Sequence, residues 1–547
     1  MRDTLRTPRQ ILFRIRQEVV NLWLTALPPA PRISGDFVPG LKLPALGAFA
    51  PEVTDLAPNI RAHRFPIFGL TIDTGAEIRW RRDYTRSIET SPVYFRRIPF
   101  LDARRSGDHK IIWELNRHQH LVVLAQAYLL TGESRNVDEI CGQLGSWIAQ
   151  NPFHRGINWA SALEVAFRAL SWIWIDQLVG PNMPAVFRAR WLHMLYLHGC
   201  HLANNLSFYY SPNNHLVGEA LTLHALGLYF SGLRRASYWE KVGACVMREQ
   251  MDRQIRDDGS SFEQSTYYQR YLFDMFALHG SLASPGREYC AKLKQMAEFL
   301  QAVAGPSGHL PLLGDDDGGH LPLAPSRPPA GAGNWQSKLF PDAGLAVMNC
   351  GDTHAIVDGG PFGALHAGHS HSDTLSIVLR SGDDEILIDP GTYTYTGEPE
   401  WRDWFRGTRA HNTICIDARD QAVPAGPFRW DSKPQVKILE WRTHDTSDVI
   451  EAECRYAGFT HRRRVEFRKP GLFLITDHVS GPPGVHEVEQ LWHLGSPQAR
   501  SKLILPADAE LTQSWRSTMF GQKYLAPMLR VRRRSELPLR LEARIEL

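Results

Sequence analysis

The densest group of residues able to do chemistry is HAGHSHSD at 366–373, which offers His366, His369, His371 and Asp373. Asp389 (ILIDPG) and His411 (RAHNTICID) follow on later apolar runs. Imidazole nitrogens and a carboxylate oxygen form a donor set for zinc with one coordination position open or filled by water. If the strand that follows extends back far enough, alternation puts His369 and His371 on one side of it. The same residues also read as hydrogen-bonded turn residues, with Asp389 capping a turn before Pro390, and spacing alone leaves both readings open.

A second group lies upstream. Tyr209-Tyr210-Ser-Pro-Asn213-Asn214-His215 precedes an apolar run, where Asn214 is suited to cap a helix. His215 and Glu219 fall one turn apart, so the carboxylate is placed to orient or charge the imidazole. DDGSSFEQSTYYQRY sets Tyr267 and Tyr268 at another helix start, a position that serves packing or function. Glu114, Asn116 and Arg117 (WELNRHQH), Asn158 (INWAS) and Arg168 (VAFRALSW) interrupt apolar stretches. An Arg on an apolar face needs a partner, and Glu164, one turn before Arg168, is the expected one. GDDDGG at 314–319 reads as a solvated or cation-holding turn, or as carboxylates of a glycosidase.

These groups need elements to hold them. Apolar residues recur at i, i+3, i+4 and i+7 over Trp113–Leu130, Asn136–Ala149, Ala160–Val179, Pro184–Leu206, His215–Phe230, Ala236–Ile255, Thr266–Leu282 and Arg287–Val303. Short connections between them predict paired helical hairpins, as a toroid or solenoid. Beyond a Pro/Gly/Ala-rich linker the period becomes two, predicting antiparallel strands stacked as a sandwich with no intervening helices. The predicted organisation is an N-terminal arm with an amphipathic helix and short strands (1–100), a helical domain (101–325), a linker (326–336) and a β-domain (337–547).

Composition narrows the function. The 547 residues carry net charge +3, and only 11 of the 61 basic residues are Lys. That balance gives no strong polyanion-binding field, and no nucleic-acid motif is present. The seven Cys are scattered singly, which argues against a disulfide framework or a thiolate zinc cluster. No run reaches the roughly 20 apolar residues of a membrane span. Residues 11–27 are apolar but broken by charge. They predict an amphipathic helix packed on the body, with a helix lying on a membrane surface as the second option. Without a recognisable export signal the expected location is cytoplasmic, with the periplasm as the alternative. Arg-rich HRRRVEFRK (461–469) and RVRRRSE (530–536) are expected to be solvated strand faces, or else a secondary site for an acidic polymer.

In order, WELNRHQHLVVLAQAYLLTGE, INWASALEVAFRALSW, NNHLVGEA, DGSSFEQSTYYQR, PLLGDDDGG and HSHSD…LIDPGTYTY…FRGTRAHNTICID resemble the heparinase II/III superfamily of polysaccharide lyases. The motifs cover residues 100–420; the rest agrees in pattern. The resemblance implies an (α/α) toroid followed by an antiparallel β-sandwich. It implies zinc on His371, Asp389 and His411, structural in role, pinning the loop that carries His369. The family's catalytic Asn or His matches Asn214 or His215, its catalytic tyrosine matches Tyr268 better than Tyr267, and its catalytic histidine matches His369. Catalysis is expected on Asn214, His215, Tyr268 and His369, with Asn116, Arg117, Asn158, Arg168, Glu219, Tyr267 and Arg409 read as facing the substrate.

The implied reaction is β-elimination on a uronic-acid polysaccharide. A base takes the C5 proton, an acid protonates the departing O4, and Asn214 and His215 bond to the carboxylate. Tyr268 is the expected acid, and Tyr268 or His369 the base. As a base, Tyr268 needs its pKa brought down by ~3 units, about 4 kcal/mol of local field. The rivals are an (α/α) toroid glycoside hydrolase and a non-catalytic or modifying protein of exopolysaccharide assembly. Which uronate is cut, endo or exo action, and oligomeric state are not readable from the sequence.

Overall fold

A computed structural model describes residues 7–43, 52–321 and 335–547; the linker read at 326–336 falls largely outside them. The chain forms two compact units. One takes the described residues up to 251 with 274–286 and 320–321; the other takes 252–273, 287–319 and 335–547. No helix is long and apolar enough to cross a membrane among the described residues.

In the helical unit, helices span Gln119–Thr131, Ser134–Gln150, Ala162–Val179, Ala185–Asn205 and Asn214–Tyr229. Ala162–Val179 packs on Gln119–Thr131, Ala185–Asn205 and Asn214–Tyr229. It is apolar on every side (ALEVAFRALSWIWIDQLV) and buried almost throughout, as a helix covered all round must be. Contacts between helices two apart, as well as between neighbours, are those of successive hairpins. In the arm, a helix at Glu52–Arg61 precedes the hairpin Arg64–Ile67/Leu70–Asp73.

One predicted helix is two. Trp113–Leu130 divides into His109–Asn116 and Gln119–Thr131, with His118 between them at φ +58°. No Gly or Pro marks the break. Tertiary bonds sustain it: Trp172 Nε1 donates to His118 Nδ1 at 2.8 Å, and Arg117 reaches Glu164.

In the other unit all pairings between named strands are antiparallel, in three main sheets. The first runs in chain order through Lys338–Phe340, Leu345–Cys350, Thr353–Asp358, Ile377–Ser381 and Asp384–Leu387. The second is ordered Ile414–Ile416, Val485–His493, Gln522–Glu536, Glu510–Met519. The third is ordered Gln435–Thr443, Ser447–Tyr456, Phe459–Arg468, Leu472–Ser480, Leu539–Glu546, Leu503–Ile504. Met348, Val357, Leu379, Val465, Phe473, Trp492, Leu529 and Ile545 share one apolar core, so faces of all three sheets meet in it.

Period-two burial along Phe459–Arg468 bears out the alternation. Arg462 and Arg464 lie outward on Glu451 and Glu440, but Arg463 points inward. Its guanidinium meets Asp477 at 2.7 and 2.9 Å and the carbonyls of Leu375 and Asn412. The expectation of a β-region free of helices is corrected by Pro399–Phe405, a short helix that carries Arg402.

Candidate active site

In the β-rich unit the site begins with a turn. Gly314 has φ +69°, and a Cβ there would come within 2.7 Å of the Gln264 carbonyl and 2.8 Å of the His369 carbonyl, so only glycine fits. This close approach lets Asp315 N–H donate to His369 O at 2.9 Å. The Asp315 side chain is fully buried and accepts from five donor atoms: His369 Nδ1 (3.0 Å), His371 Nε2 (2.9 Å), both terminal nitrogens of Arg402, one at 2.8 Å, and Thr392 Oγ1 (3.4 Å). Burial alone would raise its pKa; Arg402 and the two imidazoles outweigh that and hold it well below the carboxylate range. GDDDGG is therefore no solvated turn: Asp315 and Asp317 are buried and Asp316 is half-buried.

His369 and His371 converge on Asp315 without strand geometry, since the strand begins only at Ile377. His366 is exposed. Tyr268 sits in the first turn of Thr266–Ala283, its N–H bonded to Ser265 Oγ at 3.1 Å. Its ring stacks on the His369 imidazole, centroids 3.7 Å apart at 22°. Its hydroxyl donates to Asp317 at 2.9 Å and lies 3.1 Å from the Tyr395 hydroxyl. Burial, then Asp317, Tyr395 and Asp315, push the phenol well above its usual value of 10. The lowered pKa that a tyrosinate base requires is thus corrected: the surroundings keep Tyr268 protonated. Beyond Asp315, His369 is flanked by Glu263, whose Oε2 is 3.4 Å from Nε2. Tyr267 is half-buried against Tyr268 and Tyr271.

Next to Asp315 lies the expected ligand set. Ligand atoms of His371, Asp389 and His411 all fall within 4.8 Å of one another, and all three residues are buried. Among the described residues His371 Nδ1 and His411 Nε2 have no hydrogen-bond partner, while His411 Nδ1 meets Asp389 at 2.9 Å. Two orphaned imidazole nitrogens beside a carboxylate fit a cation such as zinc. Asp315 on His371 Nε2 is the outer carboxylate that fixes the tautomer of a ligating histidine. A cavity of about 40 Å³ adjoins His371, lined by Ser265, Thr266, Asp358, Ser370 and Asp373 among others.

The helical unit holds the remaining candidates. Asn213, not Asn214, caps Asn214–Tyr229, accepting from His215 N–H at 3.3 Å; Asn214 is the first helical residue and is buried. Glu219 is corrected as the partner that orients His215. Its oxygens accept from Ser207 N–H and Oγ, each at 2.7 Å, and burial lifts its pKa to about 8 against those bonds. Glu164 is corrected as the partner of Arg168. It binds Arg117 at 2.7 and 2.9 Å, and the charge of a protonated His215 bears on it.

Arg168 is wholly buried, its guanidinium over Trp147 and Trp159, donating to His198 Nε2 and the carbonyls of Asn116 and Asn158. Asn116 and Asn158 have no exposed surface to offer a ligand. Their amides donate to Trp80 O, and Asn116 Oδ1 accepts from Trp147 Nε1. These three build the core around Trp147. In the β-rich unit Arg409 is spent on Glu489 at 2.8 Å.

Sequence reasoning missed Arg402, Tyr395 and Glu263 as parts of the site and gave Asp315 and Asp317 the wrong setting. The alternation in DDD was a signal; nothing local marked Arg402.

The family profile for the heparinase II/III N-terminus matches residues 52–320, and that for the heparinase II/III-like C-terminal region matches 332–534. The chain belongs to the heparinase II/III family. Within that family, it is 24% identical over 433 residues to a heparin-sulfate lyase of Bacteroides stercoris, covering 68% of this chain and 62% of that one. A heparin-sulfate lyase of Pedobacter heparinus is 24% identical over 426 residues, covering 69% and 62%. The match thus spans less than two thirds of these relatives' length. Among solved structures, a heparinase III superposes with TM-score 0.69 at 15% identity, covering 99% of this chain and 92% of that one. A heparan sulfate lyase from Pedobacter heparinus superposes with TM-score 0.56 at 18% identity, covering 98% and 88%. These likenesses support the family fold, a helical part followed by antiparallel sheets.

Proposed function

We propose that the chain is a polysaccharide lyase that cleaves a uronate-containing acidic polysaccharide by β-elimination. The observation that carries this is the stacked pair Tyr268–His369, with the imidazole bonded to a buried carboxylate and the phenol in surroundings that push its pKa up. A neutral phenol is the acid that O4 needs on leaving. With Asp315 accepting from Nδ1–H, His369 presents Nε2 as the base for the C5 proton. Glu263 at 3.4 Å and Asp315 supply negative charge to the imidazolium that results. In the helical unit, Asn214 and His215 carry side chains able to hydrogen-bond a carboxylate. Asp315 and Asp317 are already engaged by Arg402, the histidines and Tyr268, which disfavours a glycosidase built on that pair.

His371, Asp389 and His411 would hold a zinc ion. When bound, the ion would be structural, neutralising buried carboxylate charge and cross-linking three segments of the β-rich unit. β-Elimination needs no activated water, which agrees with that role.

The substrate named in the relatives is heparan sulfate, so it is the first polymer to test, followed by unsulfated uronate polymers and alginate. Incubation should generate the ultraviolet absorbance of a 4,5-unsaturated uronate, with products lighter by one water than hydrolysis would give. Tyr268→Phe should cost 10²-fold or more, the size of an acid–base contribution. Hydrolytic products, or binding without cleavage, would replace this reading with one of its rivals.

A further inference from the structure

The helix Pro8–Ala26 faces the wrong way for a packed amphipathic helix. Its buried residues are Gln17, Asn21 and Leu24, two of them polar. Asn21 and Asn205 exchange amide hydrogen bonds at 2.9 Å, Gln17 Nε2 donates to Asn204 O at 3.0 Å, and Asn204 Nδ2 donates to Gln17 O at 3.0 Å. The apolar side is turned outward: Ile11, Leu12, Ile15, Val19, Leu22 and Trp23 are 47–69% exposed. At 100° per residue they form one continuous stripe about 120° wide. The expectation that this face packs on the body is therefore reversed.

Charge follows the stripe. Arg9 and Arg16 are exposed along one border, and Arg14 lies on the other, over the Tyr210 ring at 5.8 Å. Glu18, the only acid in the helix, is paired with Arg96 at 2.8 Å. An outward apolar band between cationic borders, with Trp23 at its end, is what an anionic lipid surface complements: acyl chains take the band and headgroup phosphates the guanidinium groups. A second copy on the same stripe would set its arginine borders against those of the first, which disfavours self-association.

We infer that Pro8–Ala26 is an interfacial helix that seats the chain on anionic membranes. The inference does not depend on the reaction assigned above. Vesicle flotation of the full chain tests it, with phosphatidylglycerol/phosphatidylcholine vesicles against pure phosphatidylcholine. The chain should float with the anionic vesicles. Leu12→Gln, Ile15→Gln, Leu22→Gln and Trp23→Gln combined should cut the bound fraction at least tenfold with circular dichroism unchanged, since these side chains are already half in solvent. Arg9→Gln with Arg16→Gln keeps the stripe and should weaken anionic binding by roughly fivefold per arginine. No flotation at millimolar lipid, binding indifferent to both variants, or a sedimenting dimer abolished by the stripe variant would each overturn it. The last would assign the face to a second copy.

Discussion

Asp315 is the residue on which the candidate site of the β-rich unit turns. One carboxylate fixes His369 through Nδ1 and His371 through Nε2, and Arg402 compensates its buried charge. Removing one member of a buried ion pair leaves the other uncompensated, at a cost of about 3–5 kcal/mol. Asp315→Asn should lower stability on that scale and activity by 10²-fold or more. Adding Arg402→Met should restore much of the stability in a denaturant titration but none of the activity, because the imidazole tautomers remain unset. Glu219 makes a different prediction. Its pKa of about 8 means the folded state keeps a proton that the unfolded chain releases near 4.5. The native state therefore binds more protons between those values, and stability falls as pH rises through that window, by up to ~1.4 kcal/mol per unit. Glu219→Gln should remove that slope: melting scans of the two proteins should converge near pH 4.5 and separate toward pH 8, with the variant the more stable.

At the scale of elements, the candidate residues stand at helix starts. Thr266–Ala283 begins with Ser265 bonding the Tyr268 N–H, and Asn214–Tyr229 begins with Asn213 bonding the His215 N–H. Each cap satisfies an otherwise orphaned donor and sets the direction of the first turn. Asn213→Ala should cost about 1 kcal/mol in chemical denaturation, and should raise KM more than it lowers kcat if Asn214 and His215 hold the carboxylate. The short helix Pro399–Phe405 works similarly in the β-rich unit: Arg402 is fixed by the Pro427 and Gly368 carbonyls and aimed at Asp315.

For the whole molecule, two units of different construction predict separable responses. The candidate ligand set lies entirely in the β-rich unit, where a bound ion would tie the segments holding His371, Asp389 and His411. Ligand binding stabilises the state that binds. Metal analysis should find one zinc per chain, and chelation should lower the calorimetric transition of the β-rich unit while leaving that of the helical unit in place. A chain that carries no metal as purified and shows the same thermogram with and without added zinc would refute the site.

The sequence alone was enough for the order of helices then strands, because 3.6- and 2-residue periods record which side of each element is buried. Through the resemblance of their motifs to one family, it also singled out His371, Asp389 and His411, which fold to one place, and Tyr268 and His369, which stack. It did not give the partners. Asp315 meets Arg402 across 87 positions and Glu164 meets Arg117 across 47. A buried charge can be balanced by any opposite charge that folding brings within reach, and one-dimensional spacing does not rank the choices. The outward face of Pro8–Ala26 was hidden for the same reason: amphipathicity shows that a helix has two faces, but only the amides of Asn204 and Asn205 decided which one the body would keep.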